Sequence, residues 1–311
     1  MTRSRASGSL AFGAALVALV ACFVSLEVWR DRVYGEPKPG DAVLYVRSGA
    51  AVRRMSLSFA PFVSDIYWVR AVQYYGATKL SNSPAKSYDL LYPLLDITTS
   101  VDPRFNIAYR FGSIFLAEGY PGGAGRPDLA VKLLQKGFRA NPGKWQYLQD
   151  TGFVYYWWLG DYKKAAYWFD RAAAVKGAPW WLKPLAAVTL AQGGDRRSSR
   201  ALWESLRETA DNAWLRNNAA FRLQQLDALD AIDQLTAAVK TYEARTGARP
   251  ASWAALVRAR LLRGVPLDPT GTPFTLDPAT GAVGLAPESR LNPLPTGQQA
   301  GPPAFPPAPA R

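Results

Sequence analysis

One pattern of small and large residues recurs in three consecutive segments of this chain, 105–142, 145–179 and 180–206. The small residues are Gly112, Gly152 and Ala187, and the large residues three positions later are Phe115, Tyr155 and Leu190. A small residue lets two helices approach closely, and a large side chain fills the space beside that contact. The recurrence therefore predicts pairs of helices that stack and bury one continuous core.

Turn signals divide these segments into two halves. Gly160-Asp161 and Gly194-Asp195 each follow a helical stretch. The glycine can end one helix in the left-handed conformation, and the aspartate can cap the start of the next. The first segment departs from this rule, because residues 119–127 form a Gly- and Pro-rich insertion. We therefore expect a longer loop inside that pair of helices.

With these features the chain resembles the tetratricopeptide repeat (TPR), a helix-turn-helix unit of about 34 residues. The second halves agree with the resemblance through two small-large-small series, Ala130 with Leu134 and Gly137, and Ala165 with Phe169 and Ala172. Ser199 stands where the third segment would have its small alanine, so that segment matches less well. The resemblance covers residues 64–226 and implies a TPR-like α-solenoid over 57–227.

In the TPR family the first helix of each pair lines a concave groove. Matching by position assigns the following residues to such a groove: Asn106, Tyr109, Ser113, Gln146, Gln149, Phe153, Tyr156, Trp157 and Trp181. Amides can hold the backbone of an extended peptide, and rings can cover its apolar side chains. The resemblance thus implies a protein or peptide partner, whose identity the sequence does not give.

Residues Leu10 to Trp29 form an apolar run without charge before Glu27. About twenty such residues can cross a bilayer as one helix, and Arg3 and Arg5 precede the run as in a signal anchor. Leu19-Val20-Ala21-Cys22 also fits a lipoprotein signal, with Cys22 as the lipidated residue, but the residues after it stay apolar. The length of the run favours an uncleaved, single-pass anchor in the inner membrane, with the repeats on the extracytoplasmic side. Lipidation remains the alternative.

Composition narrows the chemistry. The chain has no histidine and one cysteine, which removes the usual general base and the usual zinc ligands. No cofactor, metal or catalytic site is predicted, because Asp268 and Asp277 offer too few oxygens for calcium and both precede proline in turns. The net charge of +13 suits anionic lipid for a tethered chain, so no nucleic-acid partner is expected.

The C-terminal part changes character after residue 227. Residues 228–290 predict a helix, a second short helix from Trp253, and two strands at 272–276 and 282–286 around a Pro-Ala-Thr-Gly turn. This order is similar to the soluble part of pseudopilins, although pilins place the unit directly after their membrane helix. The Pro-rich tail 291–311 predicts disorder.

These observations define a mainly α protein with one N-terminal transmembrane helix, a TPR-like solenoid, and a small unit of helix plus β-hairpin. We expect an anchor at 1–30, a linker at 31–56 with a short strand at 42–47, the helical array at 57–227, the C-terminal unit at 228–290, and the tail. The predicted function is a non-catalytic scaffold or assembly factor of the bacterial cell envelope. The alternative is a structural or biogenesis component of a type IV pilus or a type II secretion-like apparatus, suggested by the C-terminal unit alone.

Overall fold

The computed structural model describes residues 3–34, 48–83 and 86–295. The chain is mainly helical, which confirms the predicted fold class at this level. The predicted strand at 42–47 and residues 296–311 of the predicted tail lie outside the described residues. The helices run from α1 to α12 as follows: Arg3–Tyr34, Gly49–Met55, Ala60–Leu80, Leu91–Val101, Asn106–Ala117, Pro127–Ala140, Trp145–Trp157, Tyr162–Ala173, Leu182–Gln192, Arg196–Thr209, Ala213–Thr246 and Trp253–Arg258.

The chain divides into two compact units, Met1–Phe105 and Asn106–Arg311. In the first unit α3 packs on α4, and α2 packs on the same helix. Gly49 permits that second contact, because a Cβ added to it would lie 2.6 Å from the Cβ of Ser100 on α4. Helix α2 lies within the segment that the sequence pattern assigned to a linker.

Among the described residues, no helix combines the length and the apolar character that crossing a membrane requires.

In the second unit each helix from α5 to α11 packs on the helix that follows it in the chain. The tightest contact joins α7 to α8, where a Cβ added to Gly152 would lie 2.5 Å from Cδ1 of the fully buried Phe169. Where α9 meets α10, Ser199 takes the small position and donates a hydrogen bond to the Ala187 carbonyl oxygen over 2.7 Å. Gly152 and Ala187, two of the small residues in the recurring pattern, therefore lie where successive helices meet.

The two predicted Gly-Asp turns are confirmed. Gly160 and Gly194 have φ of +62° and +82°, the left-handed region in which glycine is favoured. Asp161 then caps α8 by accepting the Lys164 backbone N–H, and Asp195 caps α10 by accepting that of Ser198. The first pair has instead the expected longer loop, between the end of α5 at Ala117 and the start of α6 at Pro127.

Helix α11 joins the helical pairs to the C-terminal part. Its last half packs with α12 and with a short hairpin in which β1 (Thr275–Leu276) pairs with β2 (Val283–Gly284). The hairpin occurs where it was predicted and is shorter than expected. The chain then returns to α11, where the buried Gln225 donates hydrogen bonds to the carbonyl oxygens of Leu291 and Pro293.

Candidate functional site: the first-helix face

The candidate site lies on the first helices of the pairs in the second unit, α5, α7 and α9. We call it the first-helix face and define it by the predicted groove residues together with Arg110 and Asp150, which lie among them. Repeated spacing positions these side chains. Asn106 lies six residues before Gly112 of α5, and Gln146 lies six residues before Gly152 of α7. Arg110 and Asp150 each lie two residues before the same glycines.

Three predicted groove residues are buried, and their assignment to an accessible groove surface is wrong. Tyr109 is 0% exposed, packs edge-on against Tyr147 with ring centres 5.2 Å apart, and lies against Gly137. Ser113 is buried and donates to the Arg110 carbonyl oxygen over 2.6 Å. Tyr156 is buried and donates to Gln192 of α9 over 3.0 Å. Tyr109 and Tyr156 therefore hold helices together, whereas Ser113 bonds within its own helix.

Burial also explains the electrostatics of Tyr156. Loss of solvent around its ring raises the pKa of the phenol above its ordinary value, and the neighbouring Tyr162 adds to that rise. The hydroxyl therefore stays protonated and serves as a hydrogen-bond donor between α7 and α9. It is a packing element with a polar end, as buried tyrosines commonly are.

An ion pair connects α5 to α7 on this face. The Arg110 guanidinium donates to both carboxylate oxygens of Asp150, with Nε–Oδ2 at 2.5 Å and Nη2–Oδ1 at 3.0 Å. Burial raises the pKa of the Asp150 carboxyl, and the guanidinium opposes that rise. Hydrogen bonding to Asp150 raises the pKa of Arg110. The two hydrogen bonds hold both side chains in one orientation, so the ion pair is a fixed part of the face.

This ion pair was not predicted from the sequence. A signal for it was present, since residues of opposite charge stand at equivalent positions in two adjacent repeats. Adjacent first helices of stacked pairs run side by side, so equivalent positions become neighbours across the stack. A comparison of charges between repeats, in addition to the comparison of small and large residues, would have found it.

Two side-chain amides of the face each have an oxygen that accepts no hydrogen bond. The Asn106 Oδ1 and the Gln146 Oε1 atoms are buried and have no hydrogen-bond partner among the described residues. Leaving such an acceptor unsatisfied costs about 1–3 kcal/mol. The two residues are equivalent by position in successive helices, so the same unfilled acceptor occurs twice on one face.

Aromatic rings occupy the end of the face nearest the α7–α8 turn. Phe153 stacks on Trp157 with ring centres 4.6 Å apart and planes 13° apart, and its edge meets Phe169 in the core. Trp157 is 49% exposed, so the stack carries an aromatic surface from the interior to solvent. Trp181, directly before α9, is partly buried against Trp145. Gln149 lies one turn before Phe153 and is also partly buried.

The remaining residues considered from the sequence include Asp268 and Cys22. Asp268 accepts hydrogen bonds from the Thr270 and Thr272 backbone and from the Thr270 and Ser289 hydroxyls, so its oxygens serve a turn. No cluster of three or more metal-ligating side chains occurs in the described ranges. Cys22, the predicted alternative lipidation site, is exposed on α1.

Comparisons of the chain with protein-family models, with curated proteins and with solved structures each found no match.

Proposed function

We propose that this chain is a non-catalytic scaffold or assembly factor of the bacterial cell envelope that binds an extended segment of a partner protein on its first-helix face. The proposal includes a TPR-like solenoid in the second unit and a membrane anchor in α1. The repeated small-large pairs, the Gly-Asp turns and helices that each pack on the next support the solenoid. The apolar run at 10–29 supports the anchor.

The observation that carries the binding proposal is the repeated unfilled acceptor. Asn106 and Gln146 hold equivalent positions on α5 and α7, and each has a side-chain oxygen without a donor. An extended peptide presents backbone N–H groups at regular intervals along each edge. Small side-chain rotations would let the two amides accept such donors and remove the cost of leaving the oxygens unsatisfied.

The rest of the face suits the same ligand. The charges of Arg110 and Asp150 compensate each other, so the ion pair favours neither an acidic nor a basic peptide strongly. The Phe153–Trp157 stack offers an apolar surface beside the amides, and large aromatic residues dominate binding energy where they become desolvated. We therefore expect the recognised segment to be extended, weakly charged, and to carry an apolar side chain that covers Trp157.

The test uses the full chain in detergent-solubilised membranes. A photoreactive residue replaces Gln149 on the face, and a second protein carries it at Tyr167, an exposed aromatic position on the second helix α8. Peptides crosslinked at position 149 and absent at position 167 are identified and then synthesised. Their affinity for Gln146→Ala with Trp157→Ala is expected to be about tenfold or more below the unmodified chain.

Tyr167→Ala with Gln234→Ala is the matched control, because both side chains are exposed and lie outside the face. It should bind with unchanged affinity. Equal affinity of the face variant and the unmodified chain, with intact helical circular dichroism, would refute the binding proposal. Crosslinks at 167 as strong as those at 149 would place the binding surface on the second helices.

A further inference from the structure

The first unit leaves a long apolar stripe of α3 uncovered. One side of α3 is buried against α4 through Ser64, Tyr67, Ala71 and Tyr75. Exposed apolar residues at helical spacing lie on the opposite side: Phe59, directly before the helix, and Phe62, Ile66 and Val69 within it. We call these four residues the α3 stripe. A helix of a soluble domain ordinarily has charged or polar residues on its outward side, so this stripe indicates a surface that contacts something apolar.

The turn that leads into α3 exposes another apolar side chain. Leu57 is 82% exposed and has φ of +48°, a region that a leucine rarely adopts. The exposed side chain gains no packing that would offset the backbone strain. Met55, directly before this turn, is exposed as well. Strain at a position of this kind points to a function outside the core.

Charge around the stripe is mainly positive, since the exposed Asp65 is the one acidic residue in the described segment 48–83. Arg53 and Arg54 are exposed at the end of α2, and within the described part of the chain no ion pair involves either of them. Between Ser48 and Ser64 the sequence contains no acidic residue. Exposed apolar side chains next to unpaired cations match an anionic bilayer surface, in which acyl chains receive the former and lipid phosphates the latter.

Chain length keeps this surface close to the proposed anchor. Fourteen residues separate Tyr34, the end of α1, from Gly49, the start of α2. Fully extended they span at most about 50 Å. If α1 crosses the bilayer, α2 and α3 cannot move further than that from the membrane surface. The local concentration of lipid is then high enough for a weak amphipathic contact to form.

We propose that the α3 stripe, with Leu57, Arg53 and Arg54, lies on the anionic lipid surface of the membrane to which α1 is tethered. The α3 axis is then parallel to the bilayer, with α4 on the side away from lipid. This inference rests on the proposed anchor only for keeping the surface near the bilayer. It fixes how the first unit stands on the membrane, and it assigns the stripe to lipid and not to a protein.

The experiment reads the environment of the stripe in the full chain. Cys22→Ser removes the native thiol, and Phe62→Cys or Lys176→Cys provides one site for an environment-sensitive fluorophore. Lys176 is an exposed residue of the second unit and serves as the control. Each protein is reconstituted into vesicles of phosphatidylcholine alone and of phosphatidylcholine with phosphatidylglycerol. Lipids with a quencher in the acyl chain report contact with the bilayer.

We expect a blue-shifted, lipid-quenched signal at position 62 that is strongest with phosphatidylglycerol, and a solvent-like signal at 176. Arg53→Gln with Arg54→Gln should shift the equilibrium about tenfold or more toward the undocked state on anionic vesicles. A solvent-like signal at 62, equal signals at 62 and 176, or a blue shift without lipid quenching would each overturn the proposal, the last by revealing a protein contact.

An alkaline carbonate wash separately tests the anchor, since release of the chain contradicts α1 insertion whatever the fluorophore reports.

Discussion

The two units differ in where the aromatic side chains of their helices lie. In the second unit the large aromatic side chains of α7 and α8 point at one another, and Phe169 is completely buried beside Gly152. In the first unit Phe59, directly before α3, and Phe62, in its first turn, remain largely exposed. Both units have an apolar periodicity that predicts a helix. Phe169 faces Gly152 of a neighbouring helix, whereas Phe62 lies opposite the residues that α3 buries against α4.

This contrast separates stability from interaction. Where a glycine or alanine faces a ring, the ring closes a helix pair and stabilises the fold. A ring that remains exposed contributes little to folding and is available for contact with another molecule. A shorter exposed stripe on α5 of the second unit, Ile107, Phe111 and Ile114, follows the same rule. The difference can be measured with paired substitutions.

The largest difference is expected between two phenylalanines. Phe169→Ala removes a fully buried ring and should lower the free energy of unfolding of the second unit by about 4 kcal/mol. Phe62→Ala removes an exposed ring and should change the first unit by less than about 0.5 kcal/mol. Hydrogen exchange with mass spectrometry reads the two units separately in one chain. A loss at Phe62 as large as that at Phe169 would mean that the α3 stripe is part of a core.

Overpacking should have the next largest effect. Gly152→Leu must displace Phe169 or separate α7 from α8, and we expect a loss of about 3 kcal/mol in urea-induced unfolding. Gly143→Leu is the matched control, because a Cβ added there has no atom within 4 Å and the residue is exposed. Equal unfolding midpoints for the two variants would contradict the close contact on which the helix pair depends.

Most of the second unit could be predicted from the sequence because its determinants are local. The Gly-Asp turns and the caps at Asp161 and Asp195 depend on residues a few positions apart, and the Gly152–Phe169 contact lies within one helix pair. The accessible side of each first helix was harder to predict. Tyr109 and Tyr156 lie on the expected side of their helices, but contacts with Tyr147 and with Gln192 of a neighbouring helix bury them. One repeat alone does not specify those contacts.

The features that were missed depend on residues far apart in the chain. Helix α2 lies in the predicted linker because Gly49 fits against Ser100, about fifty residues later, and a seven-residue segment shows little periodicity of its own. The bonds from Gln225 to Leu291 and Pro293 join two parts of the C-terminal region that have no pattern in common. Spacing within a segment carries no information about either contact.

The smallest predicted effect concerns pH and the caps of the second unit. Hydrogen bonds from the Lys164 and Ser198 backbones lower the pKa of the Asp161 and Asp195 carboxyls. A carboxyl with a lowered folded-state pKa contributes stability above its unfolded pKa of about 3.9, and this contribution is lost as pH falls through the folded-state pKa. Asp161→Ala should therefore cost about 1 kcal/mol at neutral pH and progressively less below about pH 4.

Asp170→Ala on the same helix is a suitable control, since its exposed carboxylate makes no hydrogen bond or ion pair with any described residue and caps no helix. Thermal unfolding between neutral and acidic pH checks the prediction. A difference between Asp161→Ala and the unmodified chain that stays constant down to the most acidic conditions would show that the carboxylate is not the capping group.

The bonds of Gln225 also have a consequence for the order in which the protein is made. Helices α6 to α11 each pack on the preceding helix, so they can form in sequence as the chain leaves the ribosome. Gln225 must wait, because the carbonyl of Leu291 is synthesised 66 residues later. Until then a polar side chain that is buried in the finished protein remains open to water. Biosynthesis therefore ends with a distinct closing step on α11, and a chain released before residue 291 would carry complete helical pairs and an unfinished end.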